Sequence, residues 1–276
     1  MELAPDATRP TVLDGHSRRH PVAARLFLPF RLLYKAWLTL VFFTSLLVLY
    51  LPFKVLLHKP ARYRAAFRLK RAWAFFLQWA GFFPAHVRRL APLPPPPCVI
   101  CSNHSSYLDI IGMYNVVPQY FLFMGKNELR RWPLFRIFFK DMDIAVDRAS
   151  RSGAARAFIR ASQALDAGTS IAIFPEGTIP DHTPRLKPFK DGAFRLAIAK
   201  QVPIVPITFV DHWRRFGEPV DPMGRACPGP ARVVVHRAIP TAGLTEADLV
   251  ALRKQVFETI ERPLVMDARP SAGKVE

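Results

Sequence analysis

The stretch Cys98-Val-Ile-Cys-Ser-Asn-His-Ser-Ser-Tyr-Leu-Asp109 passes within twelve residues from an apolar strand, through a polar loop, into the start of a helix. Cys98 to Cys101 is short, apolar and suited to a buried strand. Ser105 and Ser106 are residue types that cap helix amino termini, and the apolar pattern after them predicts a helix over Ser106 to Val116. The same alternation continues along the chain. Strands are expected at Tyr120–Met124, Ile144–Asp147, Ser170–Phe174, Ile204–Phe209 and Arg232–His236. Helices are expected at Asn127–Phe139, Ser152–Ala167, Gly192–Lys200 and Thr245–Ile260. Strands alternating with helices of this length predict an α/β sheet covered on both faces.

The spacing of His104 and Asp109 constrains how the two can meet. Five residues along one helix turn through about 500°, so two helical side chains at that separation point to different sides. They meet only if His104 sits in the loop before the helix and Asp109 reaches back from its first turns. Asp109 then accepts from one imidazole nitrogen and fixes the tautomer, leaving the other nitrogen to take a proton from a hydroxyl. A helix amino terminus nearby disfavours imidazolium and keeps such a base neutral. The bland alternative is a loop histidine beside a helix cap, because this pair of residues taken alone is a weak signal.

Upstream, Ala91-Pro-Leu-Pro-Pro-Pro-Pro97 reads as a stiff connector. It is expected to divide a membrane-attached segment over residues 21–90 from a catalytic domain over 98–265, with flexible tails at 1–20 and 266–276. The chain carries 39 Lys and Arg against 21 Asp and Glu, a net charge of +18, which calls for an anionic partner. From Gly15 to Leu108 there are fourteen Lys or Arg and no acid. These bases bracket the longest apolar runs, Ala36–Leu51 and Ala72–Phe83, with the basic segment Lys59–Arg71 between them. Nucleic-acid binders set their bases on a polar surface, so a membrane is the expected partner and nucleic acid is not. A helix of a soluble core does not tolerate bases so dense. Two arrangements fit: one transmembrane helix, or a helical hairpin dipping into one leaflet. Cys98 and Cys101 form a CxxC with no second half-site, so they read as small buried hydrophobes. A reducing, cytoplasm-facing domain is the simplest inference.

Three further blocks bear chemistry. Phe174-Pro-Glu-Gly-Thr178 closes an apolar strand, which puts Glu176, Gly177 and Thr178 at the carboxyl edge of a sheet, where α/β enzymes place ligands. Glu176 suits a polyol hydroxyl, and the Gly177 backbone allows an anion to approach closely. Lys126 and Arg148 end strands and suit phosphate or oxyanion charge. Val202-Pro-Ile-Val-Pro206 is expected at an edge or strand start because of its prolines, either as a wall of an apolar groove or as core packing.

In this order and spacing, the four blocks resemble those of the lysophosphatidate acyltransferase family, the PlsC-like glycerolipid acyltransferases, over about residues 98 to 262. The resemblance implies a mixed α/β sheet flanked by helices, with an amino-terminal membrane-embedded helical hairpin. It implies His104 as general base and Asp109 as its orienting partner, with Asn103 among the substrate-binding residues. Lys126 and Arg148 would meet phosphate and oxyanion charge, Glu176 to Thr178 would hold the glycerol-phosphate end, and Val202 to Pro206 would line the acyl-donor side. It further implies acyl-CoA or acyl carrier protein as co-substrate, a lysolipid as acceptor, no bound cofactor and no metal. The sequence departs from the family pattern at two places. Ile179 and Pro180 stand where Arg and Ser usually follow, and Met142 replaces a glycine. Arg185, Lys187 or Lys190 are the bases available to compensate for the first. A hydrolase is not indicated, since no GxSxG elbow is present. Another lysolipid as acceptor, amino-acid-containing or phospholipid-derived, and a non-catalytic membrane-binding role are the competing expectations.

Overall fold

The computed structural model describes residues 27–126, 133–140, 142–147, 150–180, 182–217, 221 and 224–268. The tail expected over residues 1–20, the helix start expected at Asn127, and Arg148 lie outside the described residues, as does the side chain of Lys126.

The basic, apolar amino-terminal region folds as two helices. Helix α1 spans Leu28–Leu56, with Pro29 in its first turn, where the missing N–H breaks no helical bond. By length and composition it is apolar enough to cross a membrane. Helix α2 spans Tyr63–Ala80, so the basic segment and the second apolar block form one continuous amphipathic helix. Its buried stripe is Ala66, Phe67, Lys70, Ala74, Leu77 and Gln78. Phe75, Phe76 and Trp79 point outward, as do Leu33, Leu40, Leu47 and Leu51 of α1.

One flank of α1 is held by protein along most of its length. The Tyr34 hydroxyl donates to the Gly81 carbonyl and Trp37 Nε1 to that of Ala80 (2.9 Å). Farther along, Trp73 Nε1 of α2 donates to Ser45 Oγ (2.8 Å), and Phe53 packs edge-on against Phe138 with ring centroids 4.9 Å apart.

Seven strands form one sheet: β1 (Ala85–Arg89), β2 (Val99–Ser102), β3 (Phe121–Lys126), β4 (Ile144–Val146), β5 (Ser170–Ile173), β6 (Ile204–Phe209) and β7 (Ala231–Val235). Their order is β1-β7-β6-β2-β5-β3-β4. All neighbours run parallel except β6 and β7, so the sheet is mixed. The other helices are α3 (Leu108–Val116), α4 (Pro133–Lys140), α5 (Arg151–Asp166), α6 (Gly192–Lys200), α7 (His212–Arg215) and α8 (Leu249–Ala268). One core, with Cys98, Ile100 and Val205 from the sheet, packs under α1, α2 and α3. The other, with Val99, Cys101 and Ile204, packs under α5, α6 and α8. The period of two thus sends alternate residues of a strand to opposite faces. Cys98 and Cys101 stand on opposite faces of β2, and burial pushes both thiols up, which suits inert packing residues.

Several expectations are corrected. Residues 85–89 belong to the sheet rather than to the membrane segment. Strand β1 pairs in parallel with β7 from Ala85↔Ala231 to Arg89↔Val235, so the proline-rich connector lies inside the domain. The strand escaped notice because it has one neighbour and is mostly exposed, so it needs no apolar run. Strand β6 is interior, between β7 and β2, despite its prolines. Pro206 sits one residue beyond the last β6–β7 pair, and its carbonyl still accepts from His236 N (3.0 Å). Every residue of β6 is buried, so this block builds the core and not a groove wall. The last helix runs past residue 265, to Ala268.

A buried ion pair joins the helical layer to the sheet. Lys70 Nζ of α2 lies 2.6 Å from Asp143 Oδ2, both side chains nearly inaccessible, and Asp143 Oδ1 accepts from Phe123 N in β3 (3.1 Å). Removing one member leaves a buried charge unmatched. K70A is therefore expected to cost about 3–5 kcal/mol of stability, read by denaturation of the micelle-bound protein. An unchanged midpoint would show that this pair does not hold the helix to the sheet.

Candidate active site

Strands β2, β5 and β6 are adjacent and parallel, so their carboxyl ends open on one edge of the sheet. Three turns meet there: Asn103–Tyr107 after β2, Phe174–Thr178 after β5, and Val210–Asp211 after β6.

His104 sits in the loop and Asp109 in the first turn of α3, as their spacing requires. His104 Nδ1 lies 3.1 Å from Asp109 Oδ2. The same oxygen accepts from the backbone N–H groups of Ser105 (2.5 Å) and Ser106 (2.8 Å). The Ser106 cap of α3 is reciprocal: its Oγ accepts from Leu108 N (3.1 Å), while Asp109 accepts from the Ser106 N–H. Asp109 is fully buried. Burial pushes its carboxyl up, but hydrogen bonds from His104 and His212 outweigh it and hold it below the usual carboxylate range. An ionised Asp109 takes the proton of His104 Nδ1 as a hydrogen bond, which leaves Nε2 as the basic nitrogen. The imidazole is stacked on Phe174 at 4.1 Å between centroids and 13° between planes, which fixes its plane.

Asn103 and Glu176 both bond to backbone. Asn103 spends both ends of its amide on one residue of β6: Nδ2 donates to the Phe209 carbonyl (3.0 Å) and Oδ1 accepts from Phe209 N (2.8 Å). This clamps the end of β2 to the end of β6. Glu176 Oε1 accepts from His104 N (2.7 Å) and Oε2 from Lys187 N (2.8 Å), with the residue only 3% exposed. Its carboxylate ties three segments together and is not turned out toward a polyol. Gly177 has φ +78, a conformation that favours glycine, and a Cβ there would lie 3.2 Å from the end of the Lys190 side chain. Lys190 therefore lies over this turn. Thr178 is exposed beside it. The backbone of Lys126 ends β3, paired with Val146.

The residue that sequence reasoning missed is His212, fully buried at the start of α7, whose Nδ1 lies 2.8 Å from Asp109 Oδ1. Its only sequence signal is a histidine just after an apolar strand, the same context as His104. Among the described residues, no group of three or more His, Cys, Asp or Glu side chains is placed to hold a metal ion.

Burial pushes the Glu176 carboxyl up to about 7, against its two N–H bonds. An acid raised in the folded state adds stability below its unfolded pKa and loses it as pH rises through the folded one. Stability from this residue should therefore fall between about pH 4.5 and 7. E176Q should flatten that slope in thermal midpoints measured from pH 5 to 8, and an unaltered slope would refute the assignment.

Comparison with known proteins bears on the whole edge. Residues 85–210 match the family model described as Acyltransferase, a span that begins at β1 and ends just after β6. The human 1-acyl-sn-glycerol-3-phosphate acyltransferase beta is 36% identical over 164 residues, covering 56% of this chain and 55% of that protein. The human alpha enzyme is 33% identical over 188 residues, covering 64% and 62%. The matches thus span somewhat over half the length of these curated relatives. The crystal structure of the 1-acyl-sn-glycerophosphate (LPA) acyltransferase PlsC from Thermotoga maritima superposes with a TM-score of 0.70 at 20% identity, covering 87% of this chain and 98% of that one, which establishes the shared fold. Over residues 85–210 the chain is thus similar to the Acyltransferase family, and over somewhat more than half of its length to proteins named 1-acyl-sn-glycerol-3-phosphate acyltransferases.

Proposed function

We propose that this chain transfers a fatty acyl group from an acyl thioester to the free hydroxyl of a 1-acyl-glycerol-3-phosphate, giving phosphatidic acid, with His104 as general base. The observation that carries this is the His104–Asp109 contact at 3.1 Å, in a loop where Nε2 is the remaining basic nitrogen. His104 Nε2 takes the acceptor's hydroxyl proton as its oxygen attacks the thioester carbonyl. The tetrahedral oxyanion forms, the carbon–sulfur bond breaks, and the leaving thiolate receives the proton back from His104. Lys126, at the end of β3 on the same edge, and Arg148 supply cations for the oxyanion and phosphate. Lys190, lying over Gly177, brings a base to the turn where Ile179 replaces the family's arginine. This supports a phosphate-bearing acceptor held by Gly177 and Thr178.

The thioester is carried by coenzyme A or acyl carrier protein as a co-substrate. Acceptor and product are lipids; the outward apolar side chains of α1 and α2 support attachment to a membrane, and the free Cys98, Cys101 and Cys227 favour a domain facing the cytoplasm. The protein contacts along one flank of α1 support a hairpin lying in one leaflet over a helix crossing alone. Ile179 favours a second reading, in which the acceptor is a lysolipid whose head group makes no use of an arginine there.

The test uses purified full-length protein in mixed micelles, a labelled acyl thioester and a panel of lysolipids. Transfer to 1-acyl-glycerol-3-phosphate is expected, and H104A should lower kcat by about 10²–10⁴ while remaining membrane-bound. Transfer only to acceptors without phosphate would remove the lysophosphatidate assignment. Wild-type turnover by H104A would remove the general base, and no thioester consumption at all would leave only membrane binding.

A further inference from the structure

His212 takes no part in the transfer proposed above, yet the site closes around it. The residue is fully buried and stacked on Phe209, with ring centroids 4.7 Å apart and planes at 18°. It lies directly beneath α3 at Gly112. A Cβ on that glycine would come within 2.5 Å of His212 Cε1 and 2.9 Å of Phe209 Cε1, so the helix carries glycine where the ring passes. His212 Nδ1 meets Asp109 Oδ1 at 2.8 Å, the oxygen that His104 and the two serine N–H groups leave untouched.

We propose that His212 is a positioning residue for acyl transfer: its Nδ1–H holds Asp109 so that Oδ2 faces His104, and it draws off part of the carboxylate's charge so that His104 waits as a neutral base. The inference rests on His104 being that base. A carboxylate has two oxygens and rotates about one bond, so a donor on Oδ1 sets where Oδ2 points. An ionised Asp109 that accepts from both rings makes each the Nδ1–H tautomer. Among the described residues no group bonds to His212 Nε2, which is buried. A protonated ring would bury a charged donor without a protein acceptor, so the neutral ring fits this position. A neutral donor stabilises the carboxylate without adding a second full charge. With that donor gone, the whole carboxylate charge acts on His104 and favours its imidazolium, which cannot serve as a base.

The titratable groups facing Asp109 are His104 from its own loop, His212 from α7 and, beyond His104, Glu176 from the turn after β5. Asp211, the neighbour of His212, is bound by Arg232 and Arg214.

Full-length wild type, H104A, H212L and H212N are compared in mixed micelles for kcat, KM and the pH dependence of kcat/KM, with folding checked by thermal midpoint. Leucine keeps bulk and removes the donor, whereas the asparagine amide offers N–H close to where Nδ1 stood. H212L should lose about 10–100-fold in kcat with KM within about twofold, and its acid limb should move to higher pH. H212N should keep kcat within about tenfold of wild type and retain the wild-type acid limb. If H212L has wild-type kcat and acid limb while H104A is inactive, this inference fails and the general-base assignment stands. Equal losses in H212L and H212N with unmoved acid limbs would mean packing alone and would also overturn it. If H104A is fully active, the base assignment itself falls and this inference with it. Should H212L not fold, H212N decides: an upward-shifted acid limb, or a loss matching that of H104A, overturns the inference.

Discussion

A carboxylate fully removed from water, with four N–H groups converging on it, is the constraint around which this domain is assembled. Moving an isolated carboxylate into an apolar interior costs several kcal/mol, and the cost is tolerable only when its oxygens are matched by donors. Asp109 finds those donors in Ser105 N, Ser106 N, His104 Nδ1 and His212 Nδ1. The first three come from its own loop, and the fourth from a helix more than a hundred residues away. The Asn103–Phe209 clamp fixes the two strand ends that bring these groups together, and Glu176 holds the His104 backbone from the third. Loss of register between β2 and β6 would leave the carboxylate short of a donor. The hydrogen bonds to Asp109 and the strand order therefore stabilise one another.

The other half of the molecule answers a different demand. Two helices too apolar for water and too basic for a core need a surface that is neither. The inward stripe of α2 packs on Tyr114 and Phe121 through Phe67, and Lys70 reaches Asp143 beneath. The outward rings of Phe75, Phe76 and Trp79 stay uncovered by protein. These exposed rings lie on the helix that packs against α3, which carries Asp109. The sheet and helices α1, α2 and α3 thus share one core, in which Tyr114 and Phe123 pack against one another.

Local pattern made much of this legible. Alternating short apolar runs and amphipathic segments predicted six of the sheet's strands, because strands buried on both faces must be apolar throughout. The edge strand β1 was invisible for the converse reason: His86, Arg88 and Arg89 face outward on a strand with one neighbour. The prolines of β6 suggested an edge, but Pro206 costs the interior strand one N–H only, and its carbonyl still accepts from His236 N while pairing continues at Ile204↔Ile239. At the site, the five-residue spacing of His104 and Asp109 dictated a loop histidine and a helical aspartate. The backbone bonds of Asn103 and Glu176 were not legible, because a polar side chain near a strand end looks the same in sequence whether it meets a ligand or a backbone.

What the amino-acid sequence determined by itself was therefore local or compositional: the α/β alternation, the basic apolar helices at the amino terminus, and the one geometry in which His104 and Asp109 can meet. These follow from periodicity, charge and helical geometry within a few residues. Only the tertiary structure decided that β1 completes the sheet, that Lys70 is paired beneath α2, and that His212 shares Asp109. Each joins residues far apart in the chain through strand order and register, and a one-dimensional pattern contains no physical term for which strand lies beside which.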